Sequence, residues 1–115
     1  MFLPNAHRAH VPPEKVLHYL LSTTHPRGKS KAEFFKRFGF DAVNWEKLSA
    51  SLIRHALENE VAQIGTSRYG TLYMVDGLLR APDGSALNVR SVWFITAGDE
   101  VPRFTTAHPL KRIAK

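Results

Sequence analysis

Thr71-Leu72-Tyr73-Met74-Val75-Asp76-Gly77-Leu78-Leu79 and Ala86-Leu87-Asn88-Val89-Arg90-Ser91-Val92-Trp93-Phe94-Ile95-Thr96 flank the triplet Pro82-Asp83-Gly84. Both flanks are rich in β-branched and aromatic residues, which suit a pleated, half-buried surface. Proline presets φ in a tight turn, aspartate bonds to the backbone beyond it, and glycine tolerates left-handed angles. Together they predict an antiparallel hairpin. In the second flank Leu87, Val89, Ser91, Trp93 and Ile95 share one face, and Asn88, Arg90, Val92, Phe94 and Thr96 the other. The first set is the more apolar and is expected to pack on helices. Arg90 then projects from the opposite face in mid-strand.

Downstream, Ala97-Gly98-Asp99-Glu100 reads as a further turn and residues 101–107 as a last strand. By strict alternation Phe104, Thr106 and His108 share a face, and Arg103, Thr105 and Ala107 the other. Which set meets Arg90 depends on register, which alternation leaves open. Upstream, residues 61–66 read as a strand and Ser67-Arg68-Tyr69-Gly70 as a turn.

Before residue 60 the apolar period is helical. Pro12-Pro13 with Glu14 opens a helix over about 13–22, striped by Val16, Leu17, Leu20 and Leu21. Ser30 is a candidate N-cap for a second helix over about 31–38, which buries Ala32, Phe34, Phe35 and Phe38 and ends at Gly39. Lys31, Lys36 and Arg37 are expected on its wet side. Asp41 is a candidate cap for a third helix over about 42–59, with Trp45, Leu48, Leu52, Ile53, Ala56 and Leu57 on its apolar face. His18 and His55 are read as surface or boundary residues, the latter favoured near a helix C-terminus. Residues 1–11 form a lead-in with a turn at Pro4-Asn5, and the tail bearing Lys111, Arg112 and Lys115 is expected to fray. The expected fold is α+β. Two to three N-terminal helices pack on one face of a C-terminal antiparallel sheet of about four strands. It forms a single domain over 1–115, helical over 12–60 and sheet over 61–108.

The 115 residues carry a net charge of +6 and no cysteine. Without cysteine there is no disulfide framework, thiolate nucleophile or thiolate zinc site. This fits a reducing compartment, and a cytoplasmic location is expected. Apolar runs are too short for a membrane span, and the start lacks the pattern of a signal peptide. The positive excess favours polyanions. Residues 25–37 hold five basic side chains (Arg27, Lys29, Lys31, Lys36, Arg37) against Glu33, so this stretch carries +4 of the +6. His7 and His10, three apart, lack a carboxylate partner and read as surface residues.

The loop His25-Pro26-Arg27-Gly28-Lys29-Ser30-Lys31 gathers an imidazole, a guanidinium, two ammonium groups and a hydroxyl. RNA cleavage by its own 2′-hydroxyl needs a base, an acid and cations for the charge that builds on phosphorus. Histidine transfers protons near neutral pH, arginine grips phosphate bidentately, lysine acts as a point charge and threonine donates a hydrogen bond. His25, Lys31, Arg90, Thr106 and His108 supply every type, with no metal or cofactor required. A small basic protein with six histidines can also hold such a set without catalysis. The alternative is a non-catalytic basic module that binds RNA or an acidic protein. Paired carboxylates, a Walker loop, a dinucleotide glycine pattern and a GxSxG elbow are all missing from the sequence.

Leu3-Pro4-Asn5-Ala6, Tyr19-Leu20-Leu21, the HPxGxxKA block from His25 to Ala32, Val89-Arg90-Ser91-Val92-Trp93 and Asp99-Glu100-Val101-Pro102-Arg103 together resemble a bacterial family known chiefly as a domain of unknown function. Related domains form C-terminal tips of polymorphic toxins or lie beside small antitoxin-like proteins. Their layout is similar to the barnase, EndoU, colicin and RelE-like ribonuclease superfamily. The resemblance implies a metal-independent endoribonuclease toxin with His25, Lys31, Arg90 and Thr106 at its site. His108 stands where relatives tend to have an aromatic residue, and is either a second proton-transfer group or a substitution. Arg27, Lys29, Ser91 and Arg103 are expected to contact the RNA. A basic toxin also implies a small acidic antitoxin or immunity protein as partner.

Overall fold

A computed structural model describes residues 1–22 and 29–110. Among these, the order is a 3-10 turn Ala6–Arg8, α1 Pro13–Lys15 running into a π-helical segment Val16–Leu20, α2 Lys29–Arg37, α3 Trp45–Glu58, and strands β1 Val61–Ser67, β2 Gly70–Arg80, β3 Ala86–Thr96 and β4 Arg103–Pro109. The strands form one antiparallel sheet in sequence order. This is the α+β layout expected, with helices preceding the sheet.

The β2–β3 hairpin is in continuous register from Gly70 opposite Thr96 to Arg80 opposite Ala86. Its turn closes where expected, and the Asp83 carboxylate accepts from the Ser85 N–H at 2.8 Å. Alternation sorts the strands as anticipated. Val75, Leu79, Leu87, Val89, Ser91 and Trp93 are buried on the side that meets α3. Leu48, Leu52 and Ala56 of α3 cover them, and Phe104 stacks edge-on against Trp93 at 5.4 Å between centroids. Leu57, expected on that apolar face, is instead exposed. Gly77 allows α3 to end close to the sheet, because a Cβ there would stand 2.0 Å from Asn59 Oδ1. Asn59 closes the helix by donating from Nδ2 to His55 O at 3.0 Å.

Several helix boundaries differ from expectation. The first helix winds wide: Leu21 N–H bonds to Val16 O at 2.8 Å, an i→i+5 bond, so this segment is not a plain α-helix through residue 22. α2 begins at Lys29, so Ser30 lies inside the helix rather than at its cap. Gly39 does take the left-handed C′ role, with φ 101°. α3 begins at Trp45 after Asn44, and Asp41 works one step earlier, where Asp41 and Asn44 each accept the other's N–H at 2.9 Å. The lead-in turns at Asn5 (φ 55°), buries Leu3, Ala6 and Val11, and pairs His10 with Arg103 on the outer side of β4. The frayed tail expected beyond residue 110 lies outside the described residues.

Candidate functional site

One irregularity in β4 decides what the sheet presents. Val92 lies opposite Thr106, but Trp93 lies opposite Phe104, which leaves Thr105 as an extra residue. Such a bulge shifts the alternation by one. Phe104 and Ala107 therefore both turn into the core, and Thr106 and His108 turn to the other face. The expected grouping of Phe104 with Thr106 and His108 is thus overturned. The set that meets Arg90 is the one headed by His108, directly opposite it.

Lys31 meets this face from α2. Its Nζ donates to Thr106 Oγ1 at 2.9 Å and also to the Tyr19 hydroxyl, and the two hydroxyls lie 3.1 Å apart. Lys31 is thus half-buried and bonded, not on the wet side of α2 with Lys36 and Arg37. Burial opposes ionisation of the Tyr19 phenol. The hydrogen bonds from Lys31 and Thr106 and the charges of Lys31 and Lys15 outweigh it, and its pKa falls below the usual 10.0.

Beside this trio runs a cross-strand row. Arg90 of β3 lies between Asp76 of β2 and His108 of β4. Arg90 Nε donates to Asp76 Oδ1 at 2.7 Å and Nη2 to Oδ2 at 2.9 Å, a bidentate pair. The Arg90 hydrogen bond holds the Asp76 carboxyl below its usual range, against burial. Half-burial lowers the His108 pKa, the positive charges of Lys31 and Arg90 lower it further, and Asp76 opposes them. His108 is therefore neutral near pH 7 and able to accept a proton. The arrangement brings a fixed ammonium, two hydroxyls, a guanidinium and a neutral imidazole together at the sheet face opposite the one α3 covers. Such a face can bind an anion and move a proton.

Ser91 belongs elsewhere. It is wholly buried on the core side, so its expected contact with substrate is corrected. Its hydroxyl accepts from Trp93 Nε1–H at 2.9 Å and lies 2.8 Å from His55 Nδ1. His55 Nε2 lies 3.0 Å from Val89 O and 3.1 Å from Gly77 O. Since carbonyls only accept, Nε2 carries the proton, and Ser91 donates to Nδ1. His55 is thus a buried, neutral core residue, not a surface cation at a helix end. Burial drives its pKa below 6.5, against the two carbonyl bonds.

Arg103 is exposed and opens β4 beyond the bulge, opposite Phe94. His25, Arg27 and the side chain of Lys29 lie outside the described residues. The sequence reading missed Tyr19 and Asp76 as site residues. Asp76, opposite Arg90 in the hairpin that Pro82-Asp83-Gly84 fixes, was accessible to a register count; Tyr19 stands in the Tyr19-Leu20-Leu21 block that carries the family resemblance, a signal not tied to a role. Two surface grooves are also present, the second of them reaching Asn88 and Pro109 beside the Arg90–His108 row. One is lined by residues that include Glu58, Arg80 and Ser85, and the other by Phe34, Phe38, Leu87 and Leu110. Among the described residues, no group of three or more His, Asp or Glu side chains is placed to hold a metal ion. No helix among them is long and apolar enough to cross a membrane.

A family model described as a domain of unknown function, DUF6883, matches residues 2–111. The chain belongs to the DUF6883 family. No curated protein matches it. Among solved structures, a chain of the contact-dependent growth inhibition toxin–immunity protein complex from Klebsiella pneumoniae 342 superposes on this DUF6883 domain with a TM-score of 0.68. The match covers 87% of this chain and 98% of that one, at 22% identity. At this identity the likeness is one of fold.

Proposed function

We propose that this DUF6883 domain is an endoribonuclease toxin of a bacterial toxin–antitoxin or polymorphic toxin system. It acts in the cytoplasm of its target cell and needs no metal. The observation that carries the reading is the Lys31 ammonium held by Tyr19 and Thr106 on the sheet face that also bears His108 and Arg90. The fold likeness to a chain from a toxin–immunity complex agrees with it. The net charge of +6 favours the role of the RNA-directed toxin over that of its inhibitor.

In this reading the scissile phosphate sits against Lys31 and the Thr106 hydroxyl. Arg90 contributes through its remaining N–H groups, since Nε and one Nη2–H bond to Asp76 and Nη1 contacts Met74 Sδ at 3.7 Å. A histidine, His25 or His108, takes the proton of the 2′-hydroxyl. O2′ bonds to phosphorus, the P–O5′ bond breaks, and O5′ leaves with a proton, giving a 2′,3′-cyclic phosphate and a 5′-hydroxyl. Arg27, Lys29 and Arg103 guide the RNA backbone. A small acidic immunity protein covering this face would block entry.

The purified protein should cleave RNA in excess EDTA to those ends, and its expression should arrest growth. Lys31→Ala should remove both effects while the fold persists, and whichever of His25→Ala and His108→Ala does the same identifies the base. Salt-sensitive RNA binding with intact RNA would instead establish the non-catalytic binding module.

A further inference from the structure

We propose that the Tyr19 phenol is the general acid of this site, delivering the proton to the leaving O5′. The assignment rests on the ribonuclease reading and extends it, because that reading left the leaving-group proton without a named source.

The geometry is that of an acid whose conjugate base is prepared in advance. The phenol oxygen receives one Lys31 N–H, and the same ammonium bonds to Thr106 Oγ1 at 2.9 Å. Thr106 Oγ1 lies 3.1 Å from the phenol oxygen, and either can be donor. The phenol oxygen accepts from Lys31 and still carries its own proton, while Thr106 keeps its single O–H for the phosphate. As the phenol proton leaves, the phenolate is already held by the Lys31 ammonium. A donor fixed before charge develops is what lowers a barrier most. The facing charges act in the same sense: Lys31 from α2, and Lys15 one turn earlier, its Nζ 5.7 Å from the ring centroid.

The partner base is in place on β4. Thr106 and His108 share a face two residues apart, a spacing of about 6–7 Å along a strand. A phosphodiester seated between them would present O2′ to the imidazole and O5′ to the phenol. The proton balance closes. His108 gains the 2′ proton, Tyr19 loses its own to O5′, and exchange through solvent restores both. Tyr19 stands on the wide π-helical turn Val16–Leu20, which the packing of Val16 and Leu20 fixes in the core.

The test compares two substrates: RNA, and uridine 3′-(4-nitrophenyl phosphate), whose leaving group departs without protonation. Tyr19→Phe keeps the ring. It should slow RNA cleavage about 10²–10⁴-fold and leave the nitrophenyl ester within a few-fold of wild type. Equal loss on both substrates, or full activity on RNA, overturns the assignment and leaves the ribonuclease standing. In the wild-type protein, the alkaline fall in kcat should appear with RNA and vanish with the ester. A fall common to both would equally overturn it. A wild-type protein that cleaves neither substrate overturns the ribonuclease reading and this assignment together.

Discussion

Replacing Ser91 by alanine tests the buried polar chain directly. The Ser91 hydroxyl is the acceptor for Trp93 Nε1–H at 2.9 Å and the donor to His55 Nδ1 at 2.8 Å, and all three residues are buried. Alanine leaves one donor and one acceptor without partners in a dry interior. Each such orphan costs about 1–3 kcal/mol, so the loss should be about 2–5 kcal/mol. That is a large part of the roughly 5–15 kcal/mol that holds a domain of this size. At about 3–6 °C per kcal/mol the Tm should fall by about 6–30 °C. Thermal and urea melts with matched slopes would measure it. The RNA cleavage proposed for this domain, assayed per folded molecule well below the new Tm, should be unchanged, because the hydroxyl faces the core. An unaltered Tm would refute the polar chain. A specific loss of cleavage with the Tm intact would return Ser91 to the substrate.

Three further outcomes follow from the same geometry. His55 and His108 both have folded pKa values below 6.5, so their contribution to stability is complete above about pH 6.5 and is lost as pH falls from there through the folded values; the Tm should be flat from pH 8 to 7 and decline towards pH 5, and a Tm that rises over that interval would contradict the neutral burial of His55. Gly77→Ala brings a Cβ to 2.0 Å from Asn59 Oδ1 and should cost about 1–3 kcal/mol by denaturant melts. Asn59→Ala in the same chain should recover part of that loss, whereas strict additivity would mean the two do not touch. Asp76→Asn releases the Arg90 fork; because both side chains are part-exposed, the stability change should stay within about 1 kcal/mol. RNA affinity should rise and its salt dependence steepen by about one unit of slope, as fluorescence anisotropy at several salt concentrations can show.

The sheet was legible because its signals are local. Pro82-Asp83-Gly84 fixes the turn, and alternation from Leu87 to Trp93 then names the core face. Arg90 on the opposite face followed from the same count. The fourth strand was misread because a bulge depends on how two strands meet, and nothing in Arg103-Phe104-Thr105-Thr106 announces an extra residue. His55 was misread for a related reason. Its position late in α3 suits a surface cation, and only the docking of that helix on β2 and β3 brings Ser91 and two carbonyls around the ring. Lys31 was chosen for its charge in a basic loop. Its partners come from sequence positions 12 residues before and 75 after, distances that no local pattern spans. Ser30 and Asp41 were fair capping candidates by type, but the helices start one residue before Ser30 and four after Asp41.

The extra residue at Thr105 works as a phase shifter for side-chain direction. Ahead of it the strand reads in one frame, and after it in the other, so Phe104 and Ala107 both point inward although three positions apart. Deleting Thr105 would restore simple alternation. With Phe104 still anchored on Trp93, it would leave Thr106 and His108 on the outer face and Ala107 in the core, because the residue lost is the bulged one. A relative one residue shorter between Phe104 and Thr106 would therefore keep this surface on a plain strand, whereas one of equal length without the bulge would turn Thr106 and His108 inward. Matching letters in the last strand thus say little about the surface until the bulge is placed.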